Sequence, residues 1–162
     1  MKTLYILRHA KSSWNNTGLS DFERPLNERG FDDAPMMGGV MKKNKFQPDL
    51  ILSSPAKRAL QTATIIRKSA DISGEIQFDK RIYEASPKRL LEVIAEQNAG
   101  SASILLVGHN PGLEGLVEFL SGESLPMPTA ALAVIDLNIE QWSEITSTTG
   151  TLRTLIRPKD EK

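Results

Sequence analysis

Short apolar runs separated by polar or Gly/Pro-rich stretches set the rhythm of this chain. The first run, Leu4 to Leu7, stops abruptly at Arg8-His9. A run this short, bounded by polar residues, reads as a strand buried on both faces. The stretch Lys11 to Arg24 is polar and reads as a loop of unusual length; such loops are often functional. Asp32 reads as the N-cap of a helix to about Lys43, with Pro35 in its first turn and Gly38-Gly39 weakening its interior. Leu50 to Leu52 predicts a second strand. Ser54 as N-cap and Pro55 at the first helical position predict a helix to about Lys68. Ile76 to Phe78 is a weak third strand, and Ser86-Pro87 opens a helix through Leu90, Leu91 and Ile94.

Ser103 to Val107 is the clearest buried strand, and Asn110 is placed to cap a helix from Pro111 to about Leu120. Ala131 to Leu137, Gln141 to Thr146 and Thr151 to Ile156 read as further strands. Strands alternating with helices of about a dozen residues predict an α/β fold: a mainly parallel sheet covered on both faces, with a possible antiparallel edge late in the chain. Residues 1–158 form one domain in this reading, and Lys159 to Lys162 a disordered charged tail.

Composition narrows the function classes. The 162 residues suit one domain with a substantial core. Twenty basic and 20 acidic residues cancel, so net charge gives no case for nucleic acid or an anionic membrane as partner. Cysteine is absent, which excludes disulfides and thiolate metal sites. No apolar run approaches the roughly 20 residues of a membrane span. The first strand begins almost at Met1, which leaves no room for a signal peptide. The expected location is the cytoplasm.

The chemistry concentrates at strand exits. The two histidines, His9 and His109, each follow a buried apolar run. In a parallel sheet both lie on the carboxyl edge, where open α/β sheets place ligands. A third exit gives Ser53-Ser54-Pro55 and then Arg58 in the first turns of a helix. A helix N-terminus and a guanidinium both suit phosphate oxygens. Alone, Arg58 reads better as a solvated helix residue. With Arg8, His9 and His109 it would complete an anion site containing a nucleophile. Neutral imidazole can attack phosphorus when surrounding cations neutralise the phosphoryl group. Neither a Gly-x-Gly-x-x-Gly nor a Gly-x-x-x-x-Gly-Lys-Ser/Thr motif occurs, and two histidines without cysteine do not favour a zinc site.

At this point the motifs resemble those of a known family. Leu7-Arg8-His9-Ala10-Lys11-Ser12-Ser13-Trp14-Asn15 resembles the opening motif of the histidine phosphatase superfamily, which includes the cofactor-dependent phosphoglycerate mutases. Ser53 to Ala63 is similar to its second motif, and Val107-Gly108-His109-Asn110-Pro111 to its last. The matches run in order over residues 4–112, about two thirds of the chain. Asp21 to Asn27 and Pro128 to Ala131 resemble the short SixA-type phosphohistidine phosphatases. The resemblance implies a phosphoglycerate mutase-like three-layer α/β/α sandwich and a phosphatase that needs neither metal nor cofactor. It implies His9 as the phosphorylated nucleophile, with Arg8, Arg58 and His109 in the phosphate pocket and Asn15 lining it. Glu84 falls where many members keep an acid/base carboxylate; the alternative is a loop carboxylate near a helix N-terminus. Ala10 replaces the usual Gly of the motif, and its methyl is tolerated only at negative φ.

Only 24 residues separate Glu84 from His109, so no cap domain is inserted there. The pocket should be open, which suits phosphohistidine on a protein. A small phosphoester would also fit, and a phosphate-binding module without turnover is a third reading. The sequence does not fix the oligomeric state.

Overall fold

Side chains alternate along the first strand between two separate cores. In the computed structural model, which describes residues 1–16 and 18–162, β1 (Lys2–Arg8) turns Leu4 and Ile6 into one core and Tyr5 and Leu7 into the other. This period of two is that of a pleated strand, so both faces of the sheet are covered. The remaining strands are β2 (Leu50–Ser53), β3 (Glu75–Phe78), β4 (Ser103–Gly108), β5 (Leu132–Leu137) and β6 (Gly150–Ile156). Their order is β3-β2-β4-β1-β5-β6. The first four are parallel, and β5 and β6 add antiparallel pairs beside β1.

Helices α1 (Glu28–Lys43) and α2 (Lys57–Ser69) supply Met37, Met41, Ala63 and Ile66 to the Tyr5 and Leu7 core. Helices α3 (Pro87–Ala95) and α4 (Gly112–Ser121) supply Leu90, Ile94, Leu113 and Leu116 to the other. The result is the three-layer α/β/α sandwich the apolar pattern predicts. Leu106 in the central β4 is fully buried. Its removal as Leu106→Ala should cost about 2–5 kcal/mol through lost burial and the cavity left behind.

Helix boundaries moved where local capping chemistry overrode the expected start. Helix α1 begins at Glu28, not after Asp32, because the Asn27 side chain accepts the Gly30 N–H. Pro35 therefore lies inside the helix, on its exposed side. Gly30 is also required sterically, since a Cβ there would collide with the Lys11 carbonyl. Helix α2 begins at Lys57, with Ala56 rather than Ser54 at its cap. The Ser54 N–H is already committed to the Val107 carbonyl, which keeps that residue at the β2 exit. Helix α4 starts one residue later than expected, at Gly112, although the Asn110 side chain still accepts an N–H from its first turn, that of Glu114. Gly122, at φ 78°, ends it in the left-handed conformation.

Gln141 to Thr146 is not a strand. Trp142 is fully buried with its indole N–H on the Ser101 carbonyl, and residues Trp142–Glu144 form a 3-10 turn. The Glu144 carboxylate accepts the Glu140 and Gln141 N–H groups that a ladder would have used. The C-terminal residues also differ from a disordered tail. Pro158–Asp160 make a 3-10 turn, and the Lys162 ammonium lies 3.1 Å from the buried Asp33 carboxylate.

Candidate active site

The parallel order brings the carboxyl ends of β1, β4 and β2 side by side, and with them His9, His109 and Ser54. The His9 and His109 rings stand 5.1 Å apart. A small cavity of about 200 Å³ opens here, lined by Arg8, His9, Arg24, Arg58, His109 and Thr129 among others.

His9 is buried, and its ring orientation is fixed by chemistry. Its Nδ1 lies 2.7 Å from the Ala10 carbonyl, which can only accept. The proton therefore sits on Nδ1, and Nε2 keeps its lone pair. That lone pair accepts the Arg58 Nε–H at 3.4 Å. Burial drives the His9 pKa down to about 3; His109, Arg58 and Arg8 push the same way, against the Ala10 carbonyl. The imidazole is neutral at ordinary pH. Ala10 itself is buried, its N–H bonded to Thr62 Oγ1, and it is not among the positive-φ residues. Its methyl packs into the α1/α2 core, so the departure from Gly is accommodated.

The His109 Nε2 lies 2.8 Å from Ser54 Oγ. Ser54 Oγ also accepts the Ala56 N–H, which leaves its own proton free to donate. Burial, with Arg58, lowers the His109 pKa to about 4. Among the described residues its Nδ1 is buried without a partner, as is Arg8 Nε. Buried polar groups without partners carry a large penalty in an apolar setting, so both mark places for an anion to bond. Arg8 NH1 donates to the Met127 carbonyl, and burial lowers the Arg8 pKa. The connection after α4 closes this wall. Ala130, at φ 63°, donates its N–H to the carbonyls of Arg8 and His9.

Arg58 is the second residue of α2, whose N-terminus has neither a side-chain cap nor an acidic first-turn residue. Its terminal nitrogens are both taken by Asp21: NH1 donates to the carbonyl at 2.7 Å and NH2 to the carboxylate at 3.0 Å. Asp21 also accepts from Arg24 at 2.8 Å and from the Tyr83 hydroxyl at 2.6 Å. Led by the Tyr83 bond, these donors take the Asp21 pKa down to about 2. Burial and the Asp21 anion push the Tyr83 phenol up to about 12. The Tyr83 ring meets His109 edge-on, and Trp14 lies over the Arg24 guanidinium at 3.3 Å.

The structure thus brings together Arg8, His9, Arg58 and His109. It does not bring Asn15 or Glu84 to them. Asn15 is exposed and borders a separate depression with Asn27, Asp32 and Asp33. Glu84 is exposed at φ 54° and borders another, with Lys80, Arg81 and Arg89, which Tyr83 separates from His109. The sequence reading missed Arg24 and Tyr83 as site residues, and Asp21 as the link between them. Their signals were present: Asp21 and Arg24 fall in the motif at Asp21 to Asn27, and Tyr83 precedes Glu84. Among the described residues no cluster of three or more His, Asp or Glu is placed to hold a metal.

Comparison with known proteins agrees with this geometry. The histidine phosphatase superfamily (branch 1) model matches residues 4–90, and the chain belongs to that superfamily. With its phosphoglycerate mutase-like fold, it is a phosphatase-type hydrolase. Two solved structures superpose with TM-scores of 0.84 each. One, from Agrobacterium tumefaciens and provisionally assigned as the phosphohistidine phosphatase SixA, is 34% identical and covers 97% of this chain and 98% of its own. The other, the protein histidine phosphatase SixA complexed with tungstate, is 27% identical and covers 99% of both chains. Phosphohistidine phosphatase SixA of Escherichia coli (strain K12) is 28% identical over 139 residues, 83% of this chain and 85% of its own.

Proposed function

We propose that this protein is a metal-independent phosphatase that works through a phosphohistidine intermediate on His9 and removes phosphate from phosphohistidine on a protein. One observation carries the mechanism: His9 is held as a neutral imidazole with Nε2 free of its proton and facing Arg58. In the first step Nε2 forms a bond to phosphorus as the bond to the leaving group breaks. The departing atom takes the electron pair. Arg8, Arg58 and the Nδ1–H of His109 neutralise the phosphoryl oxygens through the transition state. Donation from Ser54 Oγ to His109 Nε2 keeps that proton on Nδ1. In the second step water attacks phosphorus, the bond to His9 breaks, and phosphate leaves.

The substrate assignment follows from the leaving group. Glu84 lies outside the pocket, and Asp21 is held as an anion, so neither carboxyl group stands ready to protonate a departing alkoxide. A phosphohistidine ring protonated by solvent departs as neutral imidazole. The cavity of about 200 Å³ holds a phosphoryl group and leaves the rest of the substrate outside, as a macromolecular substrate requires. The names of the SixA relatives support the same substrate class. No described helix is long and apolar enough to cross a membrane.

A rate comparison tests both parts. A phosphohistidine protein should be hydrolysed far faster than a panel of alkyl phosphates, without added metal and with inhibition by vanadate. Faster turnover of an alkyl phosphate would move the assignment to a small-molecule phosphomonoesterase. Loss of activity to a chelator, restored by a divalent metal, would remove metal independence.

A further inference from the structure

Asp21 holds more of the pocket than its place on an exposed loop suggests. It lies in the 3-10 turn Asp21–Glu23, within the long connection between β1 and α1. Three separate elements meet on it. Arg58 comes from α2, Arg24 from the end of its own turn, and Tyr83 from the segment before α3. Two of its three oxygens grip Arg58, and the grip is on one edge of the guanidinium, the pair of terminal nitrogens. The edge carrying Nε–H is thereby turned to His9.

A guanidinium has a second bidentate edge, formed by Nε–H and the neighbouring terminal N–H. With its outer edge held by Asp21, Arg58 keeps this inner edge toward His9, and as phosphorus takes the Nε2 lone pair the Nε–H passes from Nε2 to a phosphoryl oxygen. The residue's charge also matters. Arg8, Arg24 and Arg58 crowd one small cavity, and Asp21 is the carboxylate that bonds two of them. An anion at this point keeps both side chains close in the empty pocket, where they would otherwise repel each other.

We propose that Asp21 is a positioning residue for phosphoryl transfer: by clamping the outer edge of Arg58 it fixes the inner edge on the phosphoryl group carried by His9. This rests on the roles given above to His9 and Arg58. Asp21 touches neither the nucleophile nor the transferring group, so its effect travels through Arg58.

The test is a double-mutant cycle read by rapid-quench phosphorylation of His9 with an aryl phosphate, together with vanadate inhibition. Asp21→Ala should slow adduct formation about 10- to 100-fold, the scale of a lost charge-assisted hydrogen bond. It should weaken vanadate inhibition as well. In an Arg58→Ala background the same change should slow adduct formation no more than about 3-fold, since its target is gone. Asp21→Asn keeps the shape and one acceptor and should lie between the unsubstituted protein and Asp21→Ala. It also carries the cycle if the alanine variant folds poorly. Equal losses in both backgrounds, or no loss in either, overturn the clamp. Absence of any His9 adduct in the unsubstituted protein overturns instead the proposed function on which it rests.

Discussion

Arg8, His9 and His109 leave the ends of β1 and β4, whereas Arg24 reaches the same pocket from a loop, and Asp21 and Tyr83, also on loops, hold its residues from behind. The first set is placed by the sheet. The Arg8 and His9 N–H groups bond to the Ala131 and Gly108 carbonyls, and the Leu7–Val107 register fixes where the two histidine loops begin. The second set is placed mainly through side chains: carboxylate and carbonyl on guanidinium, phenol on carboxylate, indole on guanidinium. Trp14 is 70% exposed and Phe22 37%, so this half of the site faces solvent. A sheet-built wall resists small changes in sequence, while a wall of paired charges depends on each partner. The chemistry should therefore fail completely when the sheet-built half is altered, and by degrees when the loop half is.

The largest effect is expected at the sheet-built centre. His9→Ala should abolish both turnover and the acid-labile, base-stable adduct trapped by rapid quench, a loss on the order of 10,000-fold or more as for other nucleophiles. Turnover that survived in a folded His9→Ala protein would falsify the assignment. At the junction of the two halves, Arg58→Ala should lower kcat/KM by about 100-fold or more. Lys should restore only part of it, because an ammonium offers no second edge for Asp21. A loss within two- or three-fold would return Arg58 to the status of a helix surface residue.

Stability against pH separates the halves in another way. The histidines sit neutral in the fold, with pKa values lowered to about 3 and about 4 from an ordinary 6.5. The unfolded chain takes up these protons first as pH falls. Stability should therefore be full above pH 6.5 and decline below it, with the loss complete near the folded values. Asp21 contributes in the same direction but lower, between its ordinary 3.8 and about 2. Urea melts between pH 7 and pH 4 should show the decline, and His9→Gln and His109→Gln should each flatten it. An unchanged slope in both variants would mean that neither ring is buried uncharged.

The same contrast explains what could be read in advance. The central strands, the parallel order and the convergence of His9, His109 and Arg58 were legible because apolar runs and the residues that end them are local signals. The Asn27 cap escapes the sequence reading because Asp32 and Pro35 offer a competing start signal, while Asn27 is held in place by its own N–H on the Lys11 carbonyl across the loop. Ser54 was read as a helix cap because Ser-Pro is a strong start signal, yet its hydroxyl serves His109. Gln141 to Thr146 reads as a strand in the sequence, but the Trp142 indole is drawn to the Ser101 carbonyl, a contact 41 positions away. Asp21 carried a motif but no visible role, since its three partners lie up to 62 positions away in sequence.

The smallest effect is expected at Glu84, and it bears on how the loop half differs from that of a phosphoesterase with a built-in acid. An alkyl phosphate needs its leaving oxygen protonated, and a general acid typically contributes about 100- to 10,000-fold. An aryl phosphate leaves with less help, and phosphohistidine leaves as imidazole once protonated. Glu84 is exposed, held at φ 54°, and borders a depression beside the pocket rather than the pocket itself. Glu84→Gln should therefore change all three substrates by no more than two- or three-fold, within the range of a surface substitution of about 0.5 kcal/mol. The measurement must be made where phosphorylation of His9 limits the rate, because slow hydrolysis of the adduct would hide the leaving group. A large loss confined to the alkyl phosphate would show that Glu84 swings into the site during turnover. In that case the loop half supplies the acid after all, and alkyl phosphates become credible substrates. Uniformly small losses instead leave proton delivery to solvent, which restricts the enzyme to leaving groups that depart without a resident acid.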